Sequence, residues 1–129
     1  MDFSAAAGRG VSGKGDTITM QGDGEKNLHY KIPLLLEPEK EYTLTMRLKK
    51  SADGAGYFAV TNYSAGRKLK FYAVGGSKVP ADGKWHRVTV KFRTDAALYN
   101  CGLFLYNKKS KGTISADKLV LRQNNGERK

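Results

Sequence analysis

The stretch Lys84-Trp85-His86-Arg87-Val88-Thr89-Val90-Lys91-Phe92-Arg93 decides the fold. Val88, Val90 and Phe92 share one face of an extended strand, and Arg87, Thr89, Lys91 and Arg93 share the other. Apolar β-branched and aromatic residues alternating with polar ones at period two mark a half-buried strand. Ala81-Asp82-Gly83 just before it is a turn signal. Trp85, the only tryptophan, stands where turn becomes strand, and is assigned to packing at the end of a sandwich core.

The same alternation runs outward from this stretch. Residues 41–50 put Tyr42, Leu44, Met46 and Leu48 inside and Thr43, Thr45, Arg47 and Lys49 outside. In residues 27–34, Leu28, Tyr30 and Ile32 share one face and His29 and Lys31 the other, with Pro33 marking an end or an edge. Further strands are expected over 17–20, 56–63, 68–74, 98–107 and 113–122, separated by turn clusters such as 21–25, 37–40 and 108–112. Residues 1–16, rich in Gly, Ala and Ser, read as a loosely ordered arm or an irregular first strand. Residues 17–122 then form a single domain, and 123–129 a polar tail. No stretch carries an amphipathic helical period. Eight strands at a spacing of roughly ten residues predict an all-β fold, a jelly-roll β-sandwich of two antiparallel sheets.

The totals narrow the function classes. A chain of 129 residues suffices for one core. No apolar run reaches the length of a membrane-spanning helix, so no membrane insertion is expected. The N-terminal residues carry an early acid and no apolar segment, and so do not read as a signal peptide. Cys101, the single cysteine, cannot form an internal disulfide and reads as a small buried hydrophobe. The net charge of +11, from 23 Lys and Arg against 12 Asp and Glu, points to a polyanionic partner. The plainer account is a lysine-rich surface that blunts sheet edges.

Three strands carry a family resemblance. Tyr42-Thr43-Leu44-Thr45-Met46-Arg47-Leu48-Lys49 resembles the "Y-x-L-x-F-x-x-K" strand of jelly-roll carbohydrate-binding modules of the galactose-binding-like group. Gly83 to Phe92 resembles their "G-x-W-x-x-v-x-v-x-F" strand, and Gly112 to Leu121 their closing "G-x-v-x-i-D-d-v-x-l" strand. The resemblance covers about residues 10–122, nearly the whole chain. Such modules are appended to glycoside hydrolases and polysaccharide lyases. The resemblance therefore implies a polysaccharide or oligosaccharide ligand, a tethered catalytic domain, and an extracellular or cell-surface location within a larger protein. Asp117 matches the position of a structural calcium ligand in these modules. Two departures stand out: Ala116 replaces an apolar or aromatic residue, and the N-terminal "G-x-F-E" segment with its partner acid is absent.

In a jelly roll the first, eighth, third and sixth of these strands form one sheet, and the second, seventh, fourth and fifth the other. In the modules resembled, long glycans often lie across the second sheet. Alternation places Asn100, Phe104 and Tyr106 on its outer face, with Lys70 and Tyr72, with Tyr57, Thr61 and Tyr63, and with His29 and Lys31. Cys101, Leu103, Leu105, Leu69, Phe71, Phe58 and Val60 would point inward. Rings would stack on the C–H faces of sugars, and Lys and Asn would bind hydroxyls, carboxylates or sulfates. An alternative site uses the loops at 51–56 and 75–83.

Catalytic sets are missing. His29 and His86 are the only histidines, no zinc spacing, Gly-x-Ser-x-Gly or P-loop occurs, and the acids fall mostly in turns. The sequence predicts a monomeric, non-catalytic binder of an acidic or sulfated polysaccharide that needs no cofactor for activity, with structural calcium as an option. The alternatives are a structural or protein-interaction spacer of a secreted or surface protein, and an electrostatic binder of polyanions or nucleic acid. Nucleic acid ranks last, because the lysines are scattered over many strands and turns.

Overall fold

A computed structural model describes residues 2–6, 8, 10–52, 56–63, 68–107 and 111–124. Nine strands follow in order: β1 (Val11–Lys14), β2 (Thr17–Gln21), β3 (Leu28–Pro33), β4 (Glu41–Lys50), β5 (Gly56–Tyr63), β6 (Leu69–Gly75), β7 (His86–Arg93), β8 (Gly102–Asn107) and β9 (Thr113–Asn124). They make a five-stranded sheet, ordered β1-β2-β9-β4-β7, and a four-stranded sheet, ordered β3-β8-β5-β6. All pairings are antiparallel. The eight expected strands fall into the two expected sheets, and the fold is an all-β jelly-roll sandwich.

The core is the set of inward positions that alternation selects. Leu44, Met46 and Leu48 from β4 meet Phe58 and Val60 from β5 and Leu103 and Leu105 from β8, all at 0–1% exposure. Ile18, Met20 and Ile114 close the same layer. Each such side chain contributes roughly 1.5–3 kcal/mol by leaving water, which favours this register over its one-residue slip. Cys101 is buried, and burial pushes its thiol above the usual range. Asn107 joins the sheets by donating from Nδ2 to the carbonyls of Met20 and Gly112, both at 3.1 Å.

The strand ends take two forms. Residues 11–14 form β1 on the edge of the five-stranded sheet, and Phe3 is buried against the core. Gly13 permits that approach, because a Cβ there would stand 1.9 Å from the Phe3 carbonyl oxygen. Trp85 does not plug the sandwich. It precedes β7 on the outer register and is half-buried, with the Arg47 guanidinium 4.7 Å and the Lys49 ammonium 4.9 Å from its ring centre. Leu48 pairs with His86, so the residue before His86 falls on the same outer face as Lys49. His86 takes the inward register and its Nε2 lies 3.0 Å from Asp82 Oδ1.

Candidate functional site

The outer face of the four-stranded sheet is built in cross-strand rows. His29 on β3 stands opposite Tyr106 on β8, which stands opposite Tyr57 on β5. In the next row Lys31, Phe104, Ala59 and Val74 follow one another across all four strands. Directly opposite side chains on one face are close enough to interact. The Tyr57 and Tyr106 rings stack with centres 4.8 Å apart, and Phe104 stacks on Tyr106 at 5.8 Å. His29 tilts against Phe104 at 5.7 Å and Tyr106 at 6.3 Å. Burial, and then the neighbouring Tyr57, raises the Tyr106 phenol above its ordinary value.

A polar margin lies beside the rings. Lys31 donates to Asn100 Oδ1 at 2.5 Å and its ammonium stands 5.9 Å from the Phe104 centroid. Gly102 gives the lysine stem room, since a Cβ there would come within 2.6 Å of Lys31 Cε. Asn100 is itself positioned by buried Asn62, whose Oδ1 accepts from the Tyr99 amide at 3.0 Å and the Asn100 amide at 3.4 Å.

Seven of the sequence-predicted residues therefore lie on or beside this face: His29, Lys31, Tyr57, Thr61, Asn100, Phe104 and Tyr106. Thr61 has the predicted orientation but is fully buried, and its hydroxyl donates to the Gly102 carbonyl at 3.4 Å. It is a packing residue beneath the surface.

Tyr72 and Lys70 are placed differently. β6 carries a bulge: Val60 faces Ala73 while Thr61 faces Phe71, so Tyr72 is an extra residue. One extra residue reverses the side-chain parity of the strand beyond it. Tyr72 turns toward the interior and stacks on Phe92 of the opposite sheet at 5.9 Å and 6°. Its hydroxyl accepts from the Asp95 amide at 3.1 Å and donates to Asp95 Oδ2 at 3.1 Å. Asn62 Nδ2 donates to the same hydroxyl at 3.2 Å. Lys70 pairs with Asp95 at 2.9 Å, and that hydrogen bond pulls the Asp95 carboxyl below the usual range. Leu69, Phe71 and Val74, 42–49% exposed, take the outward positions instead and extend the apolar surface to the β6 edge. The signal for this was faint: Phe71, Tyr72, Ala73 and Val74 run apolar without alternation, as at a bulge.

Asp117 is held by Arg47. Both its carboxylate oxygens accept from Arg47, at 2.8 Å from Nε and 2.5 Å from Nη2. The bidentate pair puts a guanidinium where a cation would bind. This bond also raises the Arg47 pKa.

The loop-end alternative is only partly described, because residues 53–55 lie outside the described residues. The 75–83 loop is tied to β4 through Lys50. Buried Lys50 donates to the Gly76 carbonyl at 2.8 Å, and the Gly83 amide donates to the Lys50 carbonyl at 2.9 Å. Burial lowers the Lys50 ammonium below its ordinary value.

No family model and no curated protein matches the sequence. Solved structures do match the fold. A family 16 carbohydrate-binding module superposes with a TM-score of 0.67 at 19% identity, covering 89% of this chain and 86% of that one. The CBM22-1 xylan-binding domain from Paenibacillus barcinonensis superposes at 0.65 with 14% identity, covering 83% and 71%. The N-terminal cellulose-binding domain of a Cellulomonas fimi β-1,4-glucanase gives 0.59 at 14%, covering 84% and 78%. The chain has the fold of jelly-roll carbohydrate-binding modules, as its strand motifs suggested.

Proposed function

We propose that this chain is a non-catalytic carbohydrate-binding module that holds a polysaccharide on the outer face of its four-stranded sheet. The observation that carries the reading is the stacked row of Phe104, Tyr106 and Tyr57, with His29 against it, on the outside of the sandwich. Aromatic rings on an outer face are usually a binding surface, because nothing in the core requires them there. Their faces suit the C–H faces of pyranose rings, while Lys31 and Asn100 sit beside them as hydrogen-bonding groups for hydroxyls or acid groups. The net charge of +11 supports an acidic or sulfated glycan. The module would serve a tethered catalytic domain outside the cell by raising local substrate concentration.

The exposed Leu69, Phe71 and Val74 along edge strand β6 favour a second reading, contact with an adjoining domain of a larger protein. A polysaccharide array separates the two. Selective binding to one glycan class at physiological salt, lost in Tyr106→Ala with the fold intact, supports the module. Silence on every glycan moves the assignment to the interdomain contact.

A further inference from the structure

Four of the basic residues gather on a different face. On the outside of the five-stranded sheet, Thr45, Arg47, Arg87, Lys118 and Val120 surround a cavity of about 350 Å³. A second cavity of about 170 Å³ shares Thr45, Arg87 and Val120 with it and reaches Thr43 and Arg122. The joined groove is lined by Arg47, Arg87, Lys118 and Arg122 and by no acid. A concave surface lined by one sign of charge concentrates its field and attracts counter-ions.

Three features show that the groove is built. First, Arg47 and Arg87 are directly opposite each other on β4 and β7. Like charges in that relation destabilise a sheet. Asp117 answers only Arg47, and no carboxylate of the described residues pairs with Arg87, Lys118 or Arg122. Second, Arg47 is held from two sides, by the buried carboxylate of Asp117 and by the ring of Trp85. Third, the pairing of β4 with β9 shifts between Thr45 and Arg47, and Lys118 within that bulge has φ 54°. Non-glycine residues seldom hold that conformation, and bulges re-aim side chains.

We propose that this groove is a second binding site, which takes the carboxylate or sulfate groups of an acidic polysaccharide. Naming the polymer as polysaccharide rests on the function proposed above; the anion site rests on the groove itself. The Arg87 and Arg122 guanidinium forks match planar carboxylates and sulfate edges, and the Thr45 hydroxyl stands near them for sugar hydroxyls, while Arg47 and Thr43 already bond Asp117 and Asn124. A nucleic acid fits less well. No ring lines the groove to stack a base, and Trp85 is already covered by Arg47 and Lys49. The aromatic face, by contrast, carries Lys31 with its ammonium already on Asn100. The domain would then read stacking on one sheet and charge on the other.

An amide NMR titration of the whole chain with oligogalacturonate at physiological salt tests this. Shifts are expected at Thr43, Thr45, Arg87, Lys118 and Val120, and not only at His29, Phe104 and Tyr106 of the aromatic face. The double variant Arg87→Gln/Arg122→Gln is expected to lose at least about tenfold in affinity for oligogalacturonate and for dextran sulfate while its circular dichroism is unchanged. Shifts confined to the aromatic face would overturn the second site and leave the proposed module standing. So would shifts scattered over every lysine amide, or no binding of either probe. Equal or tighter binding of oligothymidylate in the groove would overturn the polysaccharide assignment. Shifts confined to the groove, with Tyr106→Ala without effect on the binding of any glycan, would instead count against the aromatic face alone.

Discussion

The two outer faces of this sandwich come from the same alternation and share one core, yet they are chemically opposite. On the four-stranded sheet, outward positions carry Tyr57, Phe71, Phe104 and Tyr106, which pack against one another or bury small neighbours such as Ala59 and Thr61. On the five-stranded sheet, outward positions carry Thr43, Thr45, Arg47, Arg87 and Arg122 around a groove. Inner faces are constrained by packing density, whereas outer faces need only stay solvated. Function on such a scaffold is therefore read from what the outer positions spend beyond solubility. One face spends buried aromatic area, the other unpaired charge.

The sharpest way to break the comparison is Tyr106→Ala. The ring is central to the stacked row, and truncating such an anchor is expected to cost about 2 kcal/mol or more of glycan affinity, read by calorimetry. Binding of polyanions by the other face should be unchanged. Equal loss of both would mean that the faces are one site or that the fold has failed.

Tyr72→Phe tests the bulge that sorts β6 between the faces. It removes the hydroxyl shared by Asn62 and Asp95 and should lower stability by about 1 kcal/mol in urea unfolding. Glycan affinity should not move, because Tyr72 faces Phe92 rather than solvent. A loss of affinity with unchanged stability would restore Tyr72 to the binding surface.

A smaller effect attends Asp95. Its folded pKa is depressed, chiefly by the Lys70 hydrogen bond, so its contribution is present above the unfolded carboxylate value and is lost as pH falls through the folded one. The pair is exposed and screened, so the effect is modest. Comparing the Tm of the parent and Lys70→Met from neutral pH downward should show a gap that closes below about pH 4. A gap that persists in acid would point to lost packing of the Lys70 stem on Tyr72 instead. The smallest expected effect is none: chelation with EDTA should leave Tm unchanged, because Arg47 holds Asp117. A fall in Tm would place a structural cation in the domain.

Much of the aromatic face was legible because it lies on strands of unbroken register. His29, Lys31, Phe104 and Tyr106 alternate with buried Leu28, Ile32, Leu103 and Leu105, so periodicity alone aims them correctly. Residues 68–74 failed the same test because a bulge is a property of the pairing with β5 and leaves only a blurred trace in β6 itself. Trp85 was assigned to the core on size, but its outer register lets two cations use its faces.

The sequence by itself determined eight of the strands and most of the apolar positions of the core, and the resemblance of its strand motifs to jelly-roll modules supplied the division between two sheets. The strands and core positions depend on local alternation and on turn residues, which act within a few positions of the chain. The tertiary structure decided the rest: the reversal of Lys70 and Tyr72, the burial of Thr61, and the capture of Asp117 by Arg47, 70 residues away. It also decided that Arg47, Arg87, Lys118 and Arg122, from three strands, line one groove. The physical reason is that bulges, ion pairs and grooves are relations between strands, settled only when the sheets close on their core.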